Sequence, residues 1–157
     1  MRYRALAAVA ALAAAAVFTT VPALAGGNAG STQVTSFDPT GAVFTCPGVD
    51  YTVLGGSVLS VLHDSFAGNG SEHVTGTIAP TGVTLTDGTS VYQLAGASWF
   101  GGNFSEVNGT YEFTDTEFFN IIAPGGGVVA KVAGVEHMGS GGSNFSFTFG
   151  QCEPPQD

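Results

Sequence analysis

The sequence predicts an all-β fold: a single antiparallel meander of about eight strands that closes into an up-and-down barrel. From residue 42 onward, short Val, Ile, Phe, Thr and Tyr runs are separated by glycine-bearing turns, without helical periodicity. Asp87-Gly88 lies between alternating residues, a pattern typical of a tight β-hairpin. Cys46 and Cys152 flank the whole series. A two-sheet sandwich is the alternative architecture.

The first 25 residues have the pattern of a secretory signal peptide. Arg2 and Arg4 precede an apolar run that ends at Phe18, and Ala23-Leu24-Ala25 forms a small-x-small cleavage site. The run is shorter than the roughly 20 apolar residues that a membrane-spanning helix needs. We therefore expect residues 1–25 to be removed on export, leaving a secreted protein without a membrane anchor.

The mature chain would be strongly acidic. Without the leader, Lys131 is the only lysine or arginine against 12 Asp and Glu residues, a formal charge of −11. This composition excludes nucleic-acid binding, which needs basic side chains, and disfavours an anionic membrane surface. The chain is long enough for one domain with a core. We place the barrel domain at residues 42–152, after a flexible segment at 26–41 and before an acidic tail at 153–157.

The two cysteines predict a disulfide, because an even pair in an oxidising compartment is normally oxidised. A bond between Cys46 and Cys152 would join the start of the first long strand to the end of the last. Closure of a barrel would bring those two strands side by side. Metal binding by the cysteines is the weaker interpretation, because no zinc-site spacing accompanies them.

Turn signals indicate how the strands pair. A two-residue loop at Asp87-Gly88 places Val83 opposite Tyr92, and Pro80 in "IAPTGV" predicts another tight turn that places Ile78 opposite Val83. Both registers agree on one apolar face, made of Ile78, Val83, Leu85, Tyr92 and Leu94. The predicted strands cover residues 51–64, 72–79, 82–86, 90–100, 103–107, 110–122, 127–138 and 144–151, with 42–46 as a lead-in.

Reactive side chains crowd together in residues 61–74, "VLHDSFAGNGSEHV". With the hairpin loop at its centre, His63 opposes His73 on the outer face, and Asp64 opposes Glu72 at the rim. Opposed carboxylates repel, and a bound calcium ion would relieve this. Asp64 and Glu72 are therefore candidate metal ligands. Solvated rim residues are the alternative, because the stretch lacks the D-x-D-x-D-G pattern of a dedicated calcium loop.

A second polar cluster lies on the two strands at 110–122 and 127–138. The Asn108-Gly109 turn pairs Phe104 with Phe113, so that both rings point inward. Strict alternation then brings further charged residues inside, where they would form a ligand-binding or acid/base group. These residues are Asp115, Glu117, Lys131 and His137.

A bulge within residues 114–117 would reverse that arrangement. It would place an apolar set inside, made of Phe118, Ile122, Val128 and Val132. Because burial of an unpaired charge is costly, we expect the bulge, with Lys131 and His137 in solvent.

The stretches "CPGVDYTV", "APGGGVVAKVAGVEHM" and "FSFTFGQC" resemble small exported proteins of high-GC Gram-positive bacteria. Those proteins share an Ala-rich leader, a Cys-Pro-Gly opening, a Gly/Thr-rich β body and a final cysteine. The resemblance covers nearly the whole chain and implies architecture and compartment, but no activity. The barrel layout is also similar to that of lipocalins, allene oxide cyclases and dirigent proteins, a likeness of fold that does not imply function.

Three functions remain open. The first is a secreted β-barrel that binds a small, mostly apolar ligand. The second is a structural or surface-associated extracellular protein with a filled core, because eight strands leave room for packed side chains or one small ligand. The third is an isomerase or cyclase that uses Asp115, Glu117 and His137. We expect no cofactor, and the oligomeric state is not predicted. The candidate ligand contacts are Tyr92, Trp99, Phe104, Phe113, Asp115, Glu117, Lys131 and His137.

Overall fold

The structure, a computed structural model, describes residues 29–142 and 144–153. The expected leader and residues 154–157 of the predicted tail lie outside the described residues. The described chain confirms the all-β class, with eight strands in one antiparallel sheet. It contains no helix long and apolar enough to cross a membrane. The strands are β1 (Ala29–Phe37), β2 (Val43–Cys46), β3 (Val49–Phe66), β4 (Ser71–Thr86), β5 (Val91–Ser105), β6 (Thr110–Ile122), β7 (Val128–Gly139) and β8 (Phe145–Thr148).

The sheet is a meander from β3 to β8, and both β1 and β2 pair with β3. β2 pairs with the start of β3, and β1 pairs with its second half, from Val58 to Phe66. Residues 26–41 were expected to be a flexible segment, but β1 lies within them. β1 is made mostly of small and polar residues and has no alternating apolar pattern. It is a strand because it pairs with β3, and not because of a local sequence signal.

β4 and β5 are each longer than the sequence predicts. The expected tight turn at Pro80 is wrong: β4 runs through it and shifts register against β5 between Ile78 and Thr84. β5 likewise joins two predicted strands into one. On β3, Gly56 has a φ of 117°, and a Cβ there would lie 2.5 Å from Val83 Cα of β4. Only glycine therefore allows the two strands to approach this closely. β4 and β5 each replace two predicted strands, whereas β1 and β2 are added before the first predicted strand. The total of eight therefore agrees with the prediction only because these two differences cancel.

The hairpin at Asp87-Gly88 has a wider loop than predicted. Leu85, and not Val83, lies opposite Tyr92. Hydrogen bonds to the Asp87 carboxylate organise this loop: the Tyr92 hydroxyl donates one at 2.7 Å, and the backbone N–H of Ser90 donates another at 2.8 Å. These bonds hold the pKa of Asp87 well below its usual range. The pairing shifts by two residues, so every side chain keeps its predicted face.

The Asn108-Gly109 hairpin shows the same kind of shift. Phe104 lies opposite Tyr111, and Gly102 lies opposite Phe113. The shift is again by two residues, so Phe104 and Phe113 still share a face, as predicted.

β6 has no bulge at residues 114–117, so the expected reversal of its faces is wrong. Its pairing with β5 is continuous, and its only register shift against β7 falls between Ile121 and Ile122. Strict alternation therefore carries Asp115 and Glu117 to the inner face, which also bears the core. The cost of burying charge does not force a bulge, because these two carboxylates border a cavity instead of packing into apolar side chains.

The bulge beside Ile122 also decides the faces of β7. It shifts the pairing by one residue from the predicted register, so that Asn120, and not Phe119, lies opposite Lys131. A one-residue shift exchanges the two faces. Val132 is buried as expected, whereas Phe118 and Val128, expected inside, are 40% and 50% exposed. Lys131 and His137 lie on the outer face as expected. The reason is the bulge beside Ile122, and not the expected bulge at residues 114–117.

The core lies at the end of the sheet that carries the disulfide. Cys46 and Cys152 form the predicted bond, with an S–S distance of 1.96 Å. Single bridges join Cys152 to Val132 of β7, and Glu153 to Thr45 of β2. No ladder joins β1 to β8 in the described part of the chain, so the sheet itself is not closed. The core side chains include Phe44, Tyr51, Val53, Val83, Leu85, Ile121 and Val132.

Candidate functional site

A cavity of about 320 Å³ adjoins the core on the inner face of the sheet. Part of its wall is the core itself, through Phe44, Val53 and Val83. Most of the rest is apolar, including the Phe100, Phe113 and Met138 side chains. Residues 37–40, at the end of β1 and in the connection to β2, also border it. The cavity is therefore bordered both by the meander and by the segment that precedes β2.

Two glycines clear space for the aromatic wall. Phe100 lies opposite Gly76 on β4, and a Cβ at Gly76 would overlap the Phe100 ring. Phe113 lies opposite Gly102 on β5, where a Cβ would come within 3.0 Å of the Phe113 ring. The two rings stack with centroids 6.1 Å apart. Because the glycines carry no side chains, the rings can lie against the sheet and leave the middle of the cavity open.

Asp115 is a partly buried carboxylate in the cavity wall. It lies opposite Phe100 on β5 and opposite Glu136 on β7. Ser98 is only 3% exposed, and its hydroxyl donates a 2.7 Å hydrogen bond to Asp115 Oδ1. Burial raises the pKa of Asp115, and the Ser98 hydrogen bond opposes that shift. Asp115 therefore has only neutral donors, the Ser98 hydroxyl and the Thr116 backbone N–H, where a buried carboxylate is normally paired with a cation.

Glu117 is two residues further along β6 on the same face. Burial, together with the nearby charges of Asp115 and Glu136, raises the pKa of Glu117 to about 7. The remaining carboxylate of the lining, Asp38, accepts hydrogen bonds from the hydroxyl and backbone N–H of Thr40, which lower its pKa. The cavity thus combines an apolar wall with four carboxylates.

The structure brings together three of the predicted ligand contacts: Phe113, Asp115 and Glu117. Phe104 shares their face by alternation but does not line the cavity. Tyr92 packs edge-on against Tyr51 of the core, with ring centroids 5.0 Å apart.

The other predicted contacts lie on the outer face. Trp99 is 51% exposed. Lys131 is exposed as well. His137 accepts or donates a hydrogen bond with Thr114 and stacks on Phe145 of β8. The acid/base group expected of an isomerase is therefore not assembled, because His137 is separated from Glu117 by the sheet.

Several residues line the cavity without having been predicted from the sequence, above all Ser98, Phe100 and Glu136. Strict alternation from Phe113 could have found the residues on β5 and β6. Glu136 follows by alternation from Val132, which was expected inside, but its place opposite Asp115 depends on the one-residue bulge beside the glycine loop.

The predicted metal ligands stay close, although their register differs. Asp64 lies opposite Val74, and Glu72 lies opposite Phe66. Burial and the neighbouring Asp64 carboxylate raise the pKa of Glu72, and Asp64 Oδ1 is buried without a hydrogen-bond partner. Among the described residues, no group of three or more His, Cys, Asp and Glu side chains could hold a metal ion.

No protein-family model, curated protein or solved structure matches the chain.

Proposed function

We propose that this protein is secreted and binds one small, mostly apolar molecule in the cavity on the inner face of its sheet. The observation that carries the proposal is the cavity itself. Its volume of about 320 Å³ lies at the lower end of the range of about 300–1,000 Å³ that small-molecule sites occupy. A mostly apolar and aromatic wall with a few convergent polar groups is also typical of such sites.

We further propose that the meander surrounds its ligand as a barrel. Support comes from the disulfide and the two single bridges, which link β7 to β2 through the C-terminal segment. Secretion is supported by the expected leader at residues 1–25 and by the disulfide, since such bonds persist mainly outside the reducing cytosol. The resemblance to small exported bacterial proteins agrees with this compartment.

Native mass spectrometry of protein purified from culture medium tests the proposal directly. We expect a co-purifying small molecule, or, for the bare protein, one bound equivalent of the neutral fluorescent dye N-phenyl-1-naphthylamine. The single Trp99 lies on the outer face, so dye emission, and not tryptophan emission, reports on the cavity.

A pair of matched variants locates the binding. Ala42→Phe places a ring in the cavity wall and should weaken dye binding at least tenfold. Thr116→Phe adds the same ring on the outer face, opposite Trp99, and should leave binding unchanged. Binding that is absent in the parent protein, or equal in both variants, would contradict the proposal.

A structural or surface-associated role is the second candidate. The observation that favours it is the row of exposed rings along β8 and the residues after it: Phe145, Phe147 and Phe149 are 46%, 63% and 65% exposed. Under this alternative the cavity would bind no dye, whereas the protein would adsorb to apolar surfaces.

A further inference from the structure

The cavity is bordered by four carboxylates, those of Asp38, Asp115, Glu117 and Glu136. Within residues 29–142 and 144–153, no Lys, Arg or His side chain lines it to balance them. The carboxylates come from three separate elements: β6, β7 and the connection between β1 and β2. A charge of one sign on several elements around a small apolar volume creates a strong local field, because the low-dielectric walls screen it poorly.

Three of these carboxylates form one wall. Asp115 lies directly opposite Glu136 in the register of β6 and β7, and Glu117 follows Asp115 on the same face. Ser98 donates the only side-chain hydrogen bond that Asp115 receives among the described residues. Such carboxylates are stabilised by a charge-assisted hydrogen bond from a cationic donor.

The kind of cation follows from the spacing and from the rest of the wall. No group of three or more metal-ligating side chains occurs among the described residues, which argues against a compact metal ion. The apolar wall needs an apolar body to fill it, and the stacked Phe100 and Phe113 rings offer faces that attract an organic cation. An ammonium group attached to a hydrophobic body satisfies both parts of the cavity.

We propose that the ligand is an organic cation: an amine or quaternary ammonium compound whose apolar body lies against Phe100, Phe113 and Met138 and whose charged head contacts Asp115, Glu117 and Glu136. This inference rests on the proposed ligand-binding function and names the chemical class of the ligand. Neutral and anionic molecules of the same shape bind more weakly, because they leave the carboxylates unpaired or repelled.

The titration of Glu117 supports the same conclusion. Its pKa is raised to about 7 by burial and by Asp115 and Glu136. Ser98, which faces it from β5, does not titrate, and Asp38 is the other acidic group of the lining. A bound ammonium favours the ionised carboxylate. Affinity for the cation therefore falls as the pH is lowered from 8 to 6, while affinity for a neutral analogue changes little.

Isothermal titration calorimetry with three matched probes tests the ligand class. The probes are 4-phenylbutylammonium, 4-phenylbutanol and 4-phenylbutyrate, which share one apolar body and differ in the head group. We expect the ammonium compound to bind at least tenfold more tightly than the alcohol at pH 8 and 0.1 M salt, with the carboxylate weakest. If the alcohol or the carboxylate binds as tightly as the ammonium compound, the cationic class is wrong but the binding function stands. If no probe binds and the neutral dye fails as well, the proposed function is wrong.

A matched pair of variants separates the cavity from the overall charge of the protein. Glu117→Gln should weaken ammonium binding at least tenfold while affinity for the alcohol stays within about twofold, which also shows that the variant folds. Glu112→Gln removes the same charge from an exposed position of β6 and should leave both affinities unchanged. An equal loss in both variants would assign the preference to long-range attraction and overturn the proposal.

Discussion

One inner face of the sheet contains both a filled region and a hollow one. At the disulfide end, Leu85 and Ile121 are fully buried and Val83 and Val132 are 1% exposed. Towards the other end, the same face carries stacked rings above Gly76 and Gly102 and a group of carboxylates around a cavity. β5 and β6 pair without a register shift across both regions, so on these two strands the difference arises from the side chains.

The difference between the two regions shows how one meander can be stable and still contain a cavity. Aliphatic side chains pack the disulfide end densely, and that dense packing stabilises the fold. Glycine and charged residues reduce packing around the cavity. The inner face therefore has both a filled core and a cavity, which the sequence-based expectations treated as alternatives.

The largest effect should come from releasing the chain ends at the filled region. The disulfide closes a sequence separation of 106 residues, for which the loop-entropy relation gives about 4–5 kcal/mol. We expect the double variant Cys46→Ala, Cys152→Ala to lose up to this amount of unfolding free energy in urea titrations. Reduction of the parent protein should reproduce the loss. A change below about 1 kcal/mol would mean that the disulfide does not constrain the unfolded chain as argued.

Equal truncations in the two regions should have unequal costs. Leu85→Ala leaves a void in a packed core and should cost about 2–5 kcal/mol of unfolding free energy. Met138→Ala enlarges an existing cavity that its side chain lines and should cost less, at or below the lower end of this range, about 2 kcal/mol. Urea titrations of both variants measure the difference. Equal costs would show that Met138 is packed as tightly as the core.

The smallest effect concerns the pH dependence of stability. Below pH 4.5, Glu117 is protonated in both states and has no effect. As the pH rises, the unfolded chain releases this proton first, because the pKa in the folded protein is raised from 4.5 to about 7, so stability falls through this window and stays lower above it. The loss is at most about 3 kcal/mol.

The Glu117→Gln variant should remove this fall in stability. Its unfolding free energy should match that of the parent near pH 4 and exceed it at pH 8. Glu112→Gln, on the exposed face of the same strand, is the control and should follow the parent throughout. A fall in the Glu117→Gln variant as steep as in the parent would assign the dependence to other groups.

The predictable part of the fold was its class, its disulfide and the faces of most strands. Asp87-Gly88 and Asn108-Gly109 marked real hairpins, and each register error was by two residues, which preserves the faces. The error at Pro80 was also harmless for the faces, because an irregularity inside β4 keeps Ile78 and Val83 on one side, as the expected turn would have done.

The site was less predictable than the fold, because single-residue shifts decide it. Phe113, Asp115 and Glu117 were identified as one group, but the preferred bulge at 114–117 would have turned the two carboxylates outward. The actual bulge lies beside Ile122, and it places Glu136 opposite Asp115 on the inner face. Local sequence carries almost no information on a bulge of this kind, since its position depends on the pairing of both neighbours.

The amino-acid sequence alone determined the strand periodicity, the hairpins at Asp87-Gly88 and Asn108-Gly109, the acidic charge and the pairing of two cysteines, because these depend on local conformational preference and composition. Tertiary structure alone decided that β1 is a strand, that Asp115 lies opposite Glu136, and that a cavity remains beside the core. The reason is physical: a strand exposes each side chain to one of two faces, and only the register of the whole sheet selects which.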